Sequence, residues 1–345
     1  TRPYDDEKGG GMNGPAWNPA IEFMEREALE RRQLANLRRT LEWALKTPFY
    51  RRRLSEVGLT QPEDLTSLRD LRNLPFTTKD DLRAAYPDGL LAVDLEQVVR
   101  LHTSSGTTGM PTVIYHTQGD IDRWTELVAR CIVATGATAR DVFQNMTSYG
   151  LFTGGLGLHY GAERVGMLVI PASSGNTGRQ LRLMRHFQTT VLHATPSYLL
   201  HLHSTLAEEG VTREQLGLRK GFVGAEPHSE QTRHKIEALF GIKAYNSYGL
   251  SEMNGPGVAF ECEHQTGLHL WEDAFFLEIV DPQTGQTLPE EETGEIVMTT
   301  LQRRATPLLR YRTRDLSRLV GGHCPCGRTH RRLARIVGRS DDMLI

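Results

Sequence analysis

The sequence predicts an α/β fold in which a mostly parallel sheet is flanked by helices and followed by a small antiparallel β subdomain. Residues 118–247 alternate amphipathic helical stretches with short apolar runs, the rhythm of repeated βα units. Past residue 255 helical periodicity stops, and the apolar runs at 275–280, 295–300, 308–312 and 316–320 read as strands parted by turn-rich segments. At 345 residues the chain exceeds one ordinary domain, which suits a large unit with a smaller appendage.

Residues 1–16 are rich in Gly, Asp and Pro and read as a loose N-terminus, ahead of an α/β core over 17–254. Leu34, Leu37, Leu41 and Leu45 form one stripe of a helical stretch over 19–53. Short helices follow over 62–86, with Thr78 as N-cap of a helix over 79–86 and Asp80 and Asp81 in its first turn. Two apolar runs, 98–101 and 112–115, bracket a hydroxyl- and glycine-rich stretch and predict a hairpin. Ile121, Trp124, Leu127, Val128, Cys131 and Ile132 share a helix face, so Cys131 is expected as a core thiol. Strands over 141–146, 167–171, 191–194, 221–224 and 242–247 then alternate with helices over 154–165, 178–187, 197–208 and 229–240. Ligands of such sheets bind beyond the C-terminal strand ends. The β subdomain is expected over 255–337, and residues 338–345 read as the start of a further element.

A net charge of −2 argues against a dedicated nucleic-acid binder. No apolar run reaches membrane-spanning length, and residues 1–11 have no signal-peptide core. Four cysteines are too few for a disulfide scaffold, and together these features predict a cytoplasmic protein.

The candidate chemistry lies in loops. Ser104, Ser105, Gly106, Thr107, Thr108 and Gly109 can turn backbone N–H groups and hydroxyls onto a polyphosphate. The stretch is not a Walker A loop, because no Lys follows the last Gly and Pro111 leads into a strand. Its composition alone equally suits a plain linker. Gly224, Ala225, Glu226 and Pro227 end one predicted strand with a surface that can lie flat on a purine. Asn246, Tyr248, Gly249, Ser251 and Glu252 end the next, and Glu252 offers the carboxylate that Mg²⁺ beside a triphosphate requires. Asp315 is an acceptor for ribose hydroxyls. Each carboxylate has a plainer reading: Glu252 as a helix N-terminal acid, Asp315 as the ion-pair partner of Arg312 or Arg314.

Three of the four cysteines, Cys262, Cys324 and Cys326, fall in the predicted β subdomain with histidines nearby. A disulfide within Cys-x-Cys is strained, whereas two thiolates one residue apart suit tetrahedral Zn²⁺. Cys262, His269, Cys324 and Cys326 are the expected ligands of a closed structural Zn²⁺ site, with His264 the competitor for the histidine position.

Taken together, these stretches resemble the adenylate-forming superfamily, and within it the phenylacetate–CoA ligases. The resemblance runs from Trp17 to Ile345. It rests on Pro75-Phe-Thr-Thr-Lys-Asp-Asp-Leu82, Ser104-Ser-Gly-Thr-Thr-Gly109, Tyr149-Gly-Leu-Phe-Thr-Gly-Gly-Leu-Gly157 and Gly224-Ala-Glu-Pro227. It continues through Tyr248-Gly-Leu-Ser-Glu252, Arg310-Tyr-Arg-Thr-Arg-Asp315 and Gly338-Arg-Ser-Asp-Asp-Met-Leu344.

The resemblance implies that an aryl carboxylate attacks the α-phosphate of Mg·ATP, and that coenzyme A then displaces AMP. It places residues 104–109 on the β- and γ-phosphates, Glu252 on Mg²⁺, Ser251 near the α-phosphate, and Arg339 as a further nucleotide contact. Tyr248, Gly249, Asn246 and residues 224–227 would frame adenine, and Asp315 the ribose. Tyr149, Phe152, Gly154 and Gly155 would form the acyl pocket. Met110 stands where the family usually has Lys, which predicts weaker ATP binding. The family pivots at the position of Asp341, so the mobile C-terminal lid is expected to be missing from this chain and adenylation to be poor. A homodimer is also implied. Delivery of the acyl group to a carrier protein is the alternative enzymatic reading, and a zinc-stabilised nucleic-acid module the non-enzymatic one.

Overall fold

A computed structural model describes residues 14–104 and 110–341. The helical stretch expected over 19–53 is three helices, α1 (Pro19–Glu22), α2 (Arg26–Ala44) and α3 (Pro48–Ser55). The break before α3 has a local cause. The Thr47 hydroxyl accepts from the Tyr50 amide at 3.2 Å, and Pro48 fits a first turn that needs no amide donor. Leu37 and Leu41 are fully buried, and Leu34 and Leu45 pack half-buried on the same core. The next helix, α4 (Lys79–Ala84), is capped by Thr78 as expected, in a reciprocal box with Asp81.

β1 (Val98–Thr103) and β2 (Val113–Thr117) form the expected hairpin, with Thr103 opposite Val113. The Ser104 amide donates to the Thr112 carbonyl at 3.2 Å and the Ser104 hydroxyl accepts from the Thr112 amide at 3.1 Å. Ser105, Gly106, Thr107, Thr108 and Gly109 lie outside the described residues.

The βα rhythm follows as α5 (Gln118–Ala134), β3 (Val142–Asn145), α6 (Thr153–Val165), β4 (Leu168–Ile170), α7 (Thr177–Phe187) and β5 (Val191–Ala194). It continues with α8 (Pro196–Ser204), β6 (Lys220–Val223), α9 (Glu230–Phe240) and β7 (Lys243–Leu250). The five strands lie parallel in the order β4-β3-β5-β6-β7. The apolar face of α5 is buried, and α6 closes onto it at Gly161, where a Cβ would overlap Val128. Cys131 is fully buried and accepts from the Trp271 indole N–H at 3.2 Å; burial pushes the thiol up to about 12, as befits a core residue.

The remaining strands are β8 (Gly255–Glu261), β9 (Leu268–Leu270), β10 (Phe275–Val280), β11 (Gly294–Thr300), β12 (Tyr311–Ser317), β13 (Leu319–Val320), β14 (Arg332–Leu333) and β15 (Gly338–Arg339). They divide between two sheets. A tight turn after β7 returns the chain as β8, antiparallel to it, and β9, β14 and β13 extend the main sheet to nine strands. β10, β11, β12 and β15 make a separate four-stranded antiparallel sheet. The run at 308–312 does not form a strand of its own, because Arg310 has φ +45° and ends the extended segment before β12. Among the described residues no helix is long and apolar enough to cross a membrane.

Candidate active site

Three adjoining cavities open where β5, β6 and β7 end. At the end of β6, a Cβ on Gly224 would overlap the Ser247 side chain, so the backbone lies flat beside β7. Ala225 takes φ +65° and turns the chain outward. The Glu226 carboxylate accepts from the Ser197 hydroxyl at 2.8 Å and amide at 3.2 Å, fastening this loop to the first turn of α8. On β7, Asn246 is held by its amide, which donates to Glu261 at 2.7 Å.

The first cavity, about 220 Å³, is walled by Ala225, Pro227, Asn246, Tyr248, Asp315 and Arg339, with Gly249 at its edge. The Tyr248 hydroxyl donates to Asp315 Oδ2 at 2.8 Å. Burial and the adjoining carboxylate hold the Tyr248 phenol well above its usual range, so it stays protonated. Burial also raises the Asp315 carboxyl, opposed by the Tyr248 hydroxyl and by Arg339. Asp315 is not the ion-pair partner of its neighbours. Arg312 and Arg314 both turn to Glu295 instead, at 2.6 and 3.7 Å.

The second cavity, about 550 Å³, shares Leu250, Asp315 and Arg339 with the first and adds Lys79 and Glu252. Glu252 lies in a 3-10 turn, Ser251–Met253, and is 6% exposed. Its carboxylate accepts from the Thr112 hydroxyl at 3.3 Å, and its carbonyl accepts from the Arg303 guanidinium. The base of the hydroxyl-rich hairpin therefore meets the carboxylate, and Glu252 and Asp315 face one cleft. A buried carboxylate beside a hydroxyl, open to a cleft large enough for phosphates, is a donor set that fits Mg²⁺.

The third cavity, about 240 Å³, shares Ala225, Ser247, Gly249 and Leu250 with the first. Phe152, Gly154 and Ser251 line it, and Ser251 lies 3.3 Å from the Thr153 hydroxyl. Tyr149 and Gly155, expected in the acyl pocket, are not among the residues that line it. The Tyr149 hydroxyl accepts from Asn145 Nδ2 at 3.2 Å, and the Gly155 carbonyl accepts from the same group at 2.7 Å. Sequence reasoning missed Thr147 and His193, which also line this cavity. Their only signal was position, at or just past the C-terminal ends of β3 and β5.

The cysteine cluster is elsewhere on the main sheet, where Cys262 follows β8, His269 lies on β9, and Cys324 and Cys326 precede β14. All four residues are buried and their ligating atoms lie within 4.8 Å of one another. Cys262 and Cys324 sulfurs are 3.6 Å apart, close to the roughly 3.8 Å edge of a tetrahedron with Zn–S near 2.3 Å. Cys326 Sγ is 3.3 Å from His269 Nε2. His264 is outside the cluster, beside Glu263.

The fold and the joined cavities define an adenylate-forming enzyme, and the family model for AMP-binding enzymes matches residues 53–302. The phenylacetate-coenzyme A ligase of Pseudomonas putida is 51% identical over 321 residues, covering 92% of this chain and 72% of that protein. The phenylacetate-coenzyme A ligase of Escherichia coli is 48% identical over 335 residues, covering 95% and 76%. Among solved structures, an open conformation of 2-hydroxyisobutyryl-CoA ligase with 2-HIB-AMP and CoA superposes with a TM-score of 0.90 at 28% identity, covering 99% of this chain and 82% of that one. The chain belongs to the phenylacetate–coenzyme A ligase family of AMP-binding enzymes.

Proposed function

We infer that the chain is the nucleotide- and acid-binding part of an AMP-forming acid–CoA ligase, and we propose an aryl or arylacetic acid as its substrate. The observation that carries this reading is the convergence of Glu252, Asp315 and the hairpin base on one cleft, with a separate cavity opening at Ser251.

In the proposed sequence the carboxylate of the acid attacks the α-phosphorus of ATP. An acyl adenylate forms, pyrophosphate leaves, and the thiol of coenzyme A then displaces AMP. Positioning and charge stabilisation supply most of the catalysis in such phosphoryl-type chemistry. Adenine would lie between the 224–227 loop and Tyr248, with Asn246 at its edge. Asp315 Oδ1 would accept from the ribose hydroxyls, while Oδ2 is kept by Tyr248. Ser104 and the rest of the loop through Gly109 would hold the β- and γ-phosphates, and Ser251 and Arg339 would border the α-phosphate. Mg²⁺, when bound through Glu252, would neutralise phosphate charge. The acyl group would enter the cavity lined by Phe152 and Gly154. The Cys262–His269–Cys324–Cys326 cluster would hold Zn²⁺ as a closed structural site, stapling the β13–β14 loop to β8 and β9.

The test is to give full-length protein ATP, Mg²⁺ and coenzyme A with a panel of benzoates, arylacetates and indole acids, and to measure acyl-CoA and AMP by chromatography. Equal amounts of both products with at least one acid are expected. Failure of every acid would remove the aryl-acid assignment, and failure with AMP itself not binding would remove the ligase reading.

A further inference from the structure

The acyl cavity carries a hydrogen-bonding direction that can be read from its walls. The Gly155 carbonyl can only accept, and it takes its hydrogen bond from Asn145 Nδ2 at 2.7 Å. That fixes the Asn145 amide, so its Oδ1 points the other way as an acceptor. Onto this oxygen converge the Thr147 hydroxyl at 2.8 Å and His193 Nδ1 at 3.2 Å. The Thr147 proton is thereby committed, and His193 Nδ1 must be the protonated nitrogen of its ring, since a bare Nδ1 would face an acceptor. His193 Nε2 is left with a lone pair and has no partner among the described residues. Burial holds the imidazole down at about 3, so the ring is neutral. Ser247, another polar wall residue, likewise spends its proton inward, on the Val223 carbonyl at 3.3 Å.

His193, Thr147 and Ser247 thus offer the cavity lone pairs and no protons, and at its Ser251 end the Ser251 and Thr153 hydroxyls bond to each other at 3.3 Å, which leaves one proton between them. An unsubstituted phenyl ring leaves such acceptors unanswered or wet, at a cost in affinity. We propose that His193 is a specificity-determining residue of the acyl pocket and that the acid carries a hydrogen-bond donor on its ring, a phenolic hydroxyl or a ring N–H. The proposal rests on the assignment of this cavity to the acyl group.

Acid-dependent pyrophosphate release by the full-length protein tests it, with phenylacetate compared against 2-, 3- and 4-hydroxyphenylacetate and indole-3-acetate. At least one donor-bearing acid should exceed phenylacetate in kcat/KM by roughly tenfold or more. His193→Met should erase that preference mainly through the KM of the acid, whereas His193→Gln, whose carbonyl oxygen can stand in for Nε2, should keep most of it. A purely structural role would lower activity on all the acids by one factor and leave their ratio unchanged, which overturns the proposal. Phenylacetate equal to or better than every donor-bearing acid also overturns it while leaving the ligase reading intact. No turnover with any acid, in protein that does not bind AMP, overturns both.

Discussion

At the scale of single residues, the cleft divides, on the proposed assignment, into groups that would serve the whole nucleotide and groups that would serve only its phosphates. Asp315 and Tyr248 form one hydrogen-bonded unit at the proposed nucleoside end, while Glu252 sits against Thr112 at the proposed phosphate end. Replacing Glu252 with Gln keeps the shape and removes the charge, so kcat/KM for Mg·ATP should fall by roughly a hundredfold. AMP affinity should stay within about twofold by calorimetry, because AMP does not reach the β- and γ-phosphate sites. A parallel loss of AMP binding would show that Glu252 holds the nucleoside instead. Met110, 52% exposed at the hairpin, lacks the cation that the family usually supplies there. Met110→Lys should lower the KM for ATP several-fold by adding a charge-assisted contact, and an unchanged KM would remove that role. The place of Glu252, Asp315, Ser251 and Tyr248 along the joined cavities was legible in the sequence because each stands in a short motif with turn-forming neighbours. His193 and Thr147 were not, because an isolated His or Thr has no local pattern. Their proposed role depends on Asn145, which lies 48 residues from His193.

At the scale of elements, the site is held by features that tolerate little change. α6 lies so close on α5 that Gly161→Val should cost about 3 kcal/mol or more through overpacking against Val128, read as a lowered midpoint in chemical denaturation. The β13–β14 loop carries two of the four cluster residues. The same loop is tied to the N-terminal segment by the fully buried Arg328–Glu22 ion pair at 2.7 Å and by the Gly14 amide donating to the Cys326 carbonyl at 2.9 Å. If the cluster holds Zn²⁺, metal analysis should return one equivalent, and chelation or Cys324→Ser should lower Tm by roughly 5 °C or more. A metal-free protein of unchanged Tm would exclude the site. The βα rhythm was legible because each helix and strand declares its own period. The partition of the later strands between two sheets was not, since a short apolar run does not name its partner. β8 and β9 extend the main sheet by pairing with the strand just before each, and β14 joins through β9, whereas β10 to β12 pair with one another and with β15.

Across the whole molecule, histidines shielded from water weigh against the fold in acid. His102, His116, His193, His228 and His330 are all held below the usual imidazole range, in each case first by burial. Each of these imidazoles binds fewer protons in the folded state than in the unfolded chain and so contributes a loss of stability as pH drops below about 6.5, opposed by Glu261, whose carboxyl burial raises to about 7. For His193, held at about 3, the loss at pH 5 is about 2 kcal/mol, or roughly 3 °C in Tm for a chain of this length. Thermal scans from pH 7.5 to 5 should lose about that much of their pH dependence in His193→Gln relative to the unaltered protein, and identical profiles would contradict the neutral buried state of His193. At this scale the general architecture and the place of the site, beyond the strand ends, followed from the sequence. The joining of the cavities was implied by the family resemblance, which put Tyr248, Glu252, Asp315 and Arg339 on one nucleotide; composition and periodicity alone did not carry it, because Asp315 and Arg339 reach the end of β7 from the other sheet.

That union, with all the motif segments converging on a single nucleotide, is the central claim. It is tested most directly by titrating AMP into the protein and into Asp315→Ala by calorimetry. One AMP per chain, bound at least roughly tenfold more weakly by the variant at unchanged Tm, is the predicted result. AMP bound equally well by both proteins, or by neither, would contradict it.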